Sequence, residues 1–220
     1  MAGGRVAGMG GRFTGWSEQA FDVLLRLEGD PPAAFRESLR KEREQLVRQP
    51  MIALLQDVAD ADLTYDDFWV WGFRLMLWPW QRQVGVVRIE RNIELSVTFD
   101  LDGLQVHATG WCFGPVDVRE ALRAAVADDT SGPALVTIVE ALRTRGYDLS
   151  GDVMKRVPRG CPADHPRADL LRHRTLVAGR PLGCDGWLHT PEAVDRVLAA
   201  FEELRPMTSW LDDHLPAIPT

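Results

Sequence analysis

The chain has 220 residues, with 25 Lys and Arg against 32 Asp and Glu and a formal net charge of −7. Apolar residues make up 45 % and charged residues 26 %. Both values are close to the average for globular proteins, which excludes a disordered chain, a collagen-like repeat and a coiled coil. The acidic balance also argues against a nucleic-acid or membrane-surface binder, because both need a basic excess.

The first twelve residues are rich in glycine and lack the apolar run of a signal peptide. We therefore expect a flexible N-terminus over residues 1–12 and a single domain over residues 13–220. Cys112, Cys161 and Cys184 are too few, and odd in number, for a disulfide framework, which favours a reducing compartment. No apolar run approaches the roughly 18 residues of a membrane span. The predicted location is cytoplasmic.

The N-terminal third predicts helices. Ser17 is suited to cap a helix that continues to about Leu27. Apolar residues recur at helical spacing from Ala33 to about Ala59, and Pro50 is suited to the first turn of a helix. This pattern predicts one or two further amphipathic helices.

The middle of the chain predicts antiparallel strands. Apolar and polar residues alternate over Ile93–Asp100, as they do in a half-buried strand. Asp102-Gly103 is a strong signal for a hairpin turn, and we predict strands over Val86–Phe113. The stretch just before, Phe68–Val84, contains four tryptophans, and we interpret it as a Trp-rich strand.

The last part returns to helix. We predict helices over Val118–Asp128 and Ala134–Arg145, then a loop over Val153–Pro166. A helix from Pro166 to about Ala178 and a last helix from Thr190 towards Leu204 complete the chain. Helices on both sides of a central antiparallel sheet define an α+β fold.

Several stretches are similar to one known family. Residues from Phe13 to Met51 resemble its opening, Val153–Gly160 and Asp164–Leu171 resemble its C-terminal signature, and Leu211–Leu215 resemble its ending. The family is the domain of unknown function 2461 family, which is bacterial and fungal. Because no activity is established for that family, the resemblance implies an organisation and not a reaction.

The central motif of that family is degraded in this chain. The family pattern is Arg-x-x-Arg-Asp-x-Arg-Phe, followed by Asp or Asn, Lys and Tyr. In the register that begins at Arg74, only this first arginine matches, and the later positions hold Gly85, Val86 and Ile89. The resemblance implies that any chemistry or anion binding of the charged motif has been lost here.

The Trp-rich segment is the first candidate for a binding site. As a strand, it would present five side chains on one face: Arg74, Met76, Trp78, Trp80 and Arg82. The two arginines and the two tryptophans of this set are the candidate binding residues. Trp and Arg can hold a flat or apolar ligand by stacking and cation–π contacts, each of which contributes about 0.5–2 kcal/mol. The alternative is that these rings form part of the core or of a subunit interface.

The second candidate is a basic segment from Val153 to Arg180, where seven basic residues stand against two acidic ones. Arg156 and Arg159 could bind a carboxylate or a phosphate, since guanidinium groups match both geometrically. The alternative is that the segment pairs with acidic helices of the same chain.

The third candidate is His107, on the polar face of the predicted sheet, which could act as an acid or a base. A solvated surface histidine is the alternative. Cys161 and His165, with Cys184 and His189, lack the closely spaced cysteine pair of a structural zinc site. No dinucleotide-binding or Walker motif is present. We predict no metal and no cofactor.

Two functional hypotheses follow. The first is a non-catalytic module that uses the Trp-rich strand to bind a ligand or a protein, and loss of the charged motif favours it. The second is an enzyme acting on an anionic small molecule at the polar sheet face, with His107 and the loop of Arg156 and Arg159. The expected partner is a small anionic or apolar ligand or a protein, and neither a nucleic acid nor a membrane. The oligomeric state is left open.

Overall fold

The computed structural model describes residues 12–29, 31–72, 80–110 and 116–216, with side chains in the last range from residue 118 onward. The N-terminus that we predict to be flexible, residues 1–12, lies outside these ranges except for Arg12.

Helices come first along the chain. The first helix, α1, spans Glu18–Arg26 and follows Ser17 as predicted. The amphipathic sequence after it divides into shorter segments: α2 (Ala33–Ser38), α3 (Arg40–Arg43), a π-helical turn (Glu44–Arg48) and α4 (Gln49–Ala61). Pro50 lies in the first turn of α4, where its missing N–H is tolerated.

Six strands of the described residues form one antiparallel sheet in the order β1-β2-β3-β4-β6-β5. They are β1 (Phe68–Val70), β2 (Gln83–Glu90), β3 (Ile93–Asp100), β4 (Gly103–Gly110), β5 (Asp148–Ser150) and β6 (Leu176–Gly183). Val70 of β1 lies opposite Gly85 of β2, and Leu149 of β5 lies opposite Ala178 of β6. The α+β fold class is confirmed.

The later helices are α5 (Val116–Ala127), α6 (Ser131–Thr144), α7 (Ala168–Leu171) and α8 (Glu192–His214). Thr190 caps α8 as predicted, because its Oγ1 accepts a hydrogen bond from the backbone N–H of Glu192 at 3.2 Å. The helix α8 continues ten residues beyond the predicted end, through Pro206. No helix within the described ranges is long and apolar enough to span a membrane.

The helix predicted from Pro166 to about Ala178 is wrong. The helix α7 has four residues, and the chain then enters β6 at Leu176. So short a helix has little stability of its own, whereas β6 gains hydrogen bonds from its pairing with β5. This pairing joins segments far apart in sequence, which is why local patterns did not predict either strand.

Two further predictions about the sheet need correction. The hairpin turn between β3 and β4 is Leu101-Asp102, and Gly103 is the first residue of β4, with φ +95°. The segment interpreted as a Trp-rich strand is not a continuous strand, because Trp80 lies in a turn and Arg82 precedes β2. Among its described residues, Phe68–Val70 form the short β1, and Gln83 and Val84 begin β2.

The described residues group into two compact units. Those of Met1–Arg88, Ser96–Val106 and Pro181–Ala200 form unit 1, and those of Ile89–Leu95, His107–Arg180 and Phe201–Thr220 form unit 2. Each unit therefore contains parts of β2, β3, β4 and β6. The single domain over residues 13–220 stays a prediction.

Aromatic side chains build the core of unit 1. Trp16 is 1 % exposed, stacks on Phe99 with ring centroids 4.5 Å apart, and donates from Nε1 to the carbonyl of Val47 at 3.2 Å. This contact joins the start of the chain to both the sheet and the helices. Burial of aromatic rings of this size is among the largest stabilising contributions in a core.

The core of unit 2 forms where α8 packs against β4. Leu211 of α8 lies so close to Gly110 that a Cβ atom there would be 2.9 Å from a leucine methyl group. Trp210, also on α8, donates from Nε1 to the carbonyl of Ser131 at 3.0 Å. Together these contacts connect α8 to the sheet and to the start of α6.

Candidate functional site

Two arginines of unit 1 bind the backbone at the two ends of the Trp-rich segment Phe68–Val84. Arg43 is 5 % exposed and donates to the carbonyl oxygens of Trp80 and Arg82 and to Oε1 of Gln83, at 2.9 to 3.2 Å. Its burial lowers its pKa to about 10. Arg48 donates to the carbonyl oxygens of Val70 and Trp71 at 3.1 and 3.2 Å.

The π-helical turn between these arginines explains why both can reach the segment. Pro50 has no N–H to donate to the carbonyl of Leu46, so the α-helical hydrogen-bond pattern is interrupted there. A π-helical turn absorbs one extra residue. Arg43 and Arg48, five residues apart, both reach the chain between β1 and β2.

Trp80 is half-buried, and its ring carries a guanidinium on one face. The Cζ atom of Arg36 in α2 lies 4.5 Å from the ring centroid. Arg82 pairs with the buried carboxylate of Asp100, at 3.0 Å from Nη2 and 3.2 Å from Nε. Asp100 also accepts a hydrogen bond from Gln105 at 3.3 Å. Trp80 and Arg82 are therefore fixed by neighbours of unit 1.

The structure describes only part of the binding face predicted for the Trp-rich segment. Arg74 and Trp78 lie outside the described residues. Trp80 and Arg82 lie near the start of β2, and Arg82 has its exposed charge compensated by Asp100. The structure thus describes two of the four predicted binding residues, and a ligand at this surface stays a prediction.

In the basic segment of unit 2, four arginines have partners within the protein. Arg167 is 8 % exposed and donates to the carbonyl oxygens of Val126 and Ala127 at 2.7 and 2.6 Å, which caps the end of α5. Arg172, Arg174 and Arg180 pair with carboxylates at 3.5, 3.1 and 2.8 Å; these are Asp169, Asp152 and Glu203. The predicted pairing with an acidic helix applies to Arg180, whose partner Glu203 lies on α8. The partners of Arg172 and Arg174 are nearby aspartates, and Arg167 donates mainly to carbonyl groups.

Arg180 belongs to a larger cluster. Its guanidinium lies 4.8 Å from the ring centroid of Tyr147, whose hydroxyl donates to Glu203 at 2.8 Å. Burial raises the pKa of Tyr147 to about 12. Because the hydroxyl stays protonated at neutral pH, it can donate to Glu203, and this cluster stabilises the contact between α8 and the sheet.

The remaining cations of the segment lie on the loop 153–160. Lys155, Arg156 and Arg159 are exposed, and none of them forms a hydrogen bond or an ion pair with another described residue. Pro158, between the two arginines, is buried. The loop is therefore attached to unit 2 at its middle, while its three cationic side chains extend into solvent.

The start of this loop is held against the residues that precede β6. A Cβ atom on Gly151 would lie 2.1 Å from the carbonyl oxygen of Thr175, and φ is +121° there, so glycine is required. Val153 pairs with His173 in an isolated antiparallel bridge. His173 is 8 % exposed, and its burial lowers its pKa. A rigid anchor thus precedes the three exposed cations.

His107 lies on β4 beside β6. Its ring occupies the space over Gly179, where a Cβ atom would be 2.1 Å from Cδ2. The imidazole is half-buried between two strands of unit 2. An acid or base role of His107 stays a prediction.

The sequence analysis did not identify three other arginines that contact the candidate binding segments. Arg36 and Arg43 are separated from Trp80 by about forty residues, and Arg123 of α5 reaches Met154 across 31 positions. No local pattern marks such contacts. Helical spacing alone places Arg123 on a helix face but does not show which loop that face meets.

Within the described ranges, no three His, Cys, Asp or Glu side chains are grouped so that they could hold a metal ion. His189 instead hydrogen-bonds through Nδ1 to the carbonyl of Trp16 at 2.6 Å. This contact joins the N-terminus to the 3₁₀ helix of residues Gly186–His189.

These features define an α+β protein with a buried arginine support in one unit and an exposed cationic loop in the other. A family model described as "Conserved hypothetical protein (DUF2461)" matches residues 86–210, more than half of the chain. The chain belongs to this family, which confirms the resemblance seen in the sequence. The match includes the cationic loop, whereas the similar stretch from Phe13 to Met51 lies outside it. Searches of curated proteins and of solved structures find no match.

Proposed function

We propose that this protein is a non-catalytic binding module for an anionic ligand, and that the loop 153–160 of unit 2 binds it. The observation that carries the proposal is that Lys155, Arg156 and Arg159 are exposed and have no partner among the described residues. The other arginines of the same segment are engaged with carboxylates or carbonyl groups.

The charge of the whole chain makes this loop distinctive. With a net charge of −7, the average field of the protein repels anions, and an anion can be attracted only where cations are locally uncompensated. The loop supplies three such cations within five residues. Two of them are arginines, whose planar guanidinium groups donate paired hydrogen bonds to carboxylate or phosphate oxygens.

The way the loop is held also supports binding. Buried Pro158 and the close contact of Gly151 with Thr175 limit the conformations that the loop can adopt. A ligand that binds a restrained loop loses less free energy to ordering than one that binds a flexible loop.

The first test is a titration with inorganic phosphate at constant ionic strength, followed by backbone amide shifts in NMR spectra. We expect the largest shifts in residues 153–160. The double variant Arg156→Ala and Arg159→Ala should weaken phosphate binding by about tenfold or more, since hydrogen bonds to charged groups are the strongest available here.

The matched control removes two exposed arginines of the same unit, Arg143→Ala and Arg145→Ala, and should retain the affinity of the parent protein. Equal losses in both double variants would show that only net charge matters, and shifts centred elsewhere would place the anion at another site. Either result would contradict the proposal.

A further inference from the structure

We infer that Arg123 and Arg172 complete this anion site, and that its ligand is an oxyanion with two or more negative charges, of the phosphate-ester or pyrophosphate class. The inference rests on the proposed function and extends it, because it adds residues from two other elements and sets the charge of the ligand.

Met154 is the point where these elements meet. Arg123 of α5 approaches its sulfur, with Nη2 3.5 Å from Sδ. Arg172, just after α7, donates from Nε to its carbonyl oxygen at 2.7 Å, and the N–H of Met154 donates back to the carbonyl of Arg172 at 2.8 Å. Both guanidinium groups are therefore held against the same residue.

The exposed cations of the loop follow immediately. Consecutive Cα atoms are 3.8 Å apart, so the Cα atoms of Lys155 and Arg156 lie within about 8 Å of that of Met154. Four cationic side chains thus originate around one residue of unit 2. Like charges on neighbouring side chains repel each other, and a bound counterion relieves this repulsion.

The nearby carboxylates compensate only a little of this charge. Asp169 is the partner of Arg172, but the N–O distance is 3.5 Å and the carboxylate side chain is 95 % exposed, so the pair is weak. Asp152 is engaged with Arg174 at 3.1 Å. Arg123 forms no ion pair with a described residue.

Because the site has several cations, the charge of the ligand determines how many of them it can neutralise. A monocarboxylate can neutralise one guanidinium and would leave the others uncompensated. A phosphate ester or a pyrophosphate has several oxygens and at least about 1.5 negative charges near neutral pH, so it can accept hydrogen bonds from arginines on separate elements. The site therefore favours multiply charged oxyanions over monovalent ones.

Isothermal titration calorimetry with inorganic pyrophosphate and with acetate, at equal ionic strength, tests this inference. We expect pyrophosphate to bind at least about tenfold more tightly than acetate. Arg123→Met should weaken pyrophosphate binding by about tenfold, a typical value for one lost contact to a charged group, and should hardly change acetate binding. Arg123→Lys, which keeps the charge, should recover part of the loss, and Arg145→Met should bind like the parent protein.

The outcomes separate the two proposals. If Arg123→Met binds pyrophosphate normally while Arg156→Ala with Arg159→Ala does not, the loop binds anions but this inference is wrong. Acetate affinity equal to that of pyrophosphate would also overturn it. If neither anion binds, or if the loop variants behave like the parent protein, the proposed function itself fails.

Discussion

At the scale of single residues, buried polar groups differ in how fully they are satisfied. The guanidinium of Arg43 donates to three oxygen atoms of unit 1. In unit 2, the buried imidazole of His173 leaves Nδ1 without a hydrogen-bond partner among the described residues. An unsatisfied buried group costs free energy, and protonation of this ring would add a buried charge to that cost.

His173 therefore predicts a pH dependence of stability. Its pKa in the folded protein is lowered, first by burial, while the nearby backbone of Thr175 and Ser150 raises it and the charges of Arg172 and Arg143 lower it. The unfolded histidine titrates near 6.5. Below that pH the unfolded state binds more protons, so the free energy of unfolding falls as the pH decreases, by at most about 1.4 kcal/mol per pH unit for one group.

Urea unfolding measured between pH 7 and pH 5 checks this prediction. Because other groups also titrate in this range, the comparison is with His173→Gln, which should lose stability less steeply as the pH falls. Parallel curves for the two proteins would show that His173 contributes nothing to the pH dependence.

The sequence predicted residue roles unevenly. It identified Arg156 and Arg159 as candidate ligands because a basic run in an acidic chain is visible in composition alone. It could not separate them from Arg167, which is buried against the end of α5. Arginines of one segment have different roles because some of them contact carbonyl groups that are distant in sequence. These contacts depend on the tertiary structure and leave no local pattern in the sequence.

At the scale of elements, local sequence patterns correctly predicted helix starts and a strand, because these depend on interactions between residues close in sequence. Ser17 and Thr190 precede helices as expected, and the alternation over Ile93–Asp100 is a strand. The strands β5 and β6 were missed because β5, with three residues, is paired only with β6, and β6 lies between β4 and β5, which are distant in sequence. The Trp-rich stretch contains a turn at Trp80, which its strand-favouring tryptophans do not reveal.

The hairpin of β3 and β4 predicts a loss of stability when Gly103, its first residue in β4, is replaced. At Gly103, φ is +95° and a Cβ atom would lie 2.3 Å from the carbonyl oxygen of Gly183 in β6. Gly103→Ala should therefore destabilise the protein through both backbone strain and a backbone clash. We expect a loss of about 2 kcal/mol or more, because the strain of a left-handed alanine alone costs about 1–2 kcal/mol.

Gly146→Ala is the control for strain without a clash, since φ is +83° at Gly146 and no atom lies within 4 Å of the added Cβ. Its loss in urea unfolding should be the smaller of the two. Equal losses would mean that β4 and β6 can move apart enough to accommodate a methyl group at residue 103 without a further loss of stability.

At the scale of the whole molecule, the two compact units are not separable segments of chain. The chain passes from unit 1 to unit 2 within β2, between Arg88 and Ile89, and it changes unit again within β3, β4 and β6. Unfolding of either unit would remove part of each of these strands. We therefore expect both units to unfold in one cooperative transition.

Hydrogen exchange followed by mass spectrometry at increasing urea concentrations measures this directly. Peptides that contain Val58 of unit 1 and Val139 of unit 2, both buried, should become exchangeable at the same midpoint. Two separate midpoints would indicate units that fold independently, and would argue against the single domain predicted from the sequence.

The π-helical turn at Glu44–Arg48 has a consequence for the length of the polypeptide. It holds one residue more than an α-helical turn would, so the loss of one residue within it can be absorbed by conversion of the turn to α-helix. A deletion of one residue in α4 has no such reserve and would turn the preceding helix by about 100° relative to the rest of α4. The guanidinium of Arg43 would then move away from Trp80 and Gln83, and the start of β2 would lose its buried support.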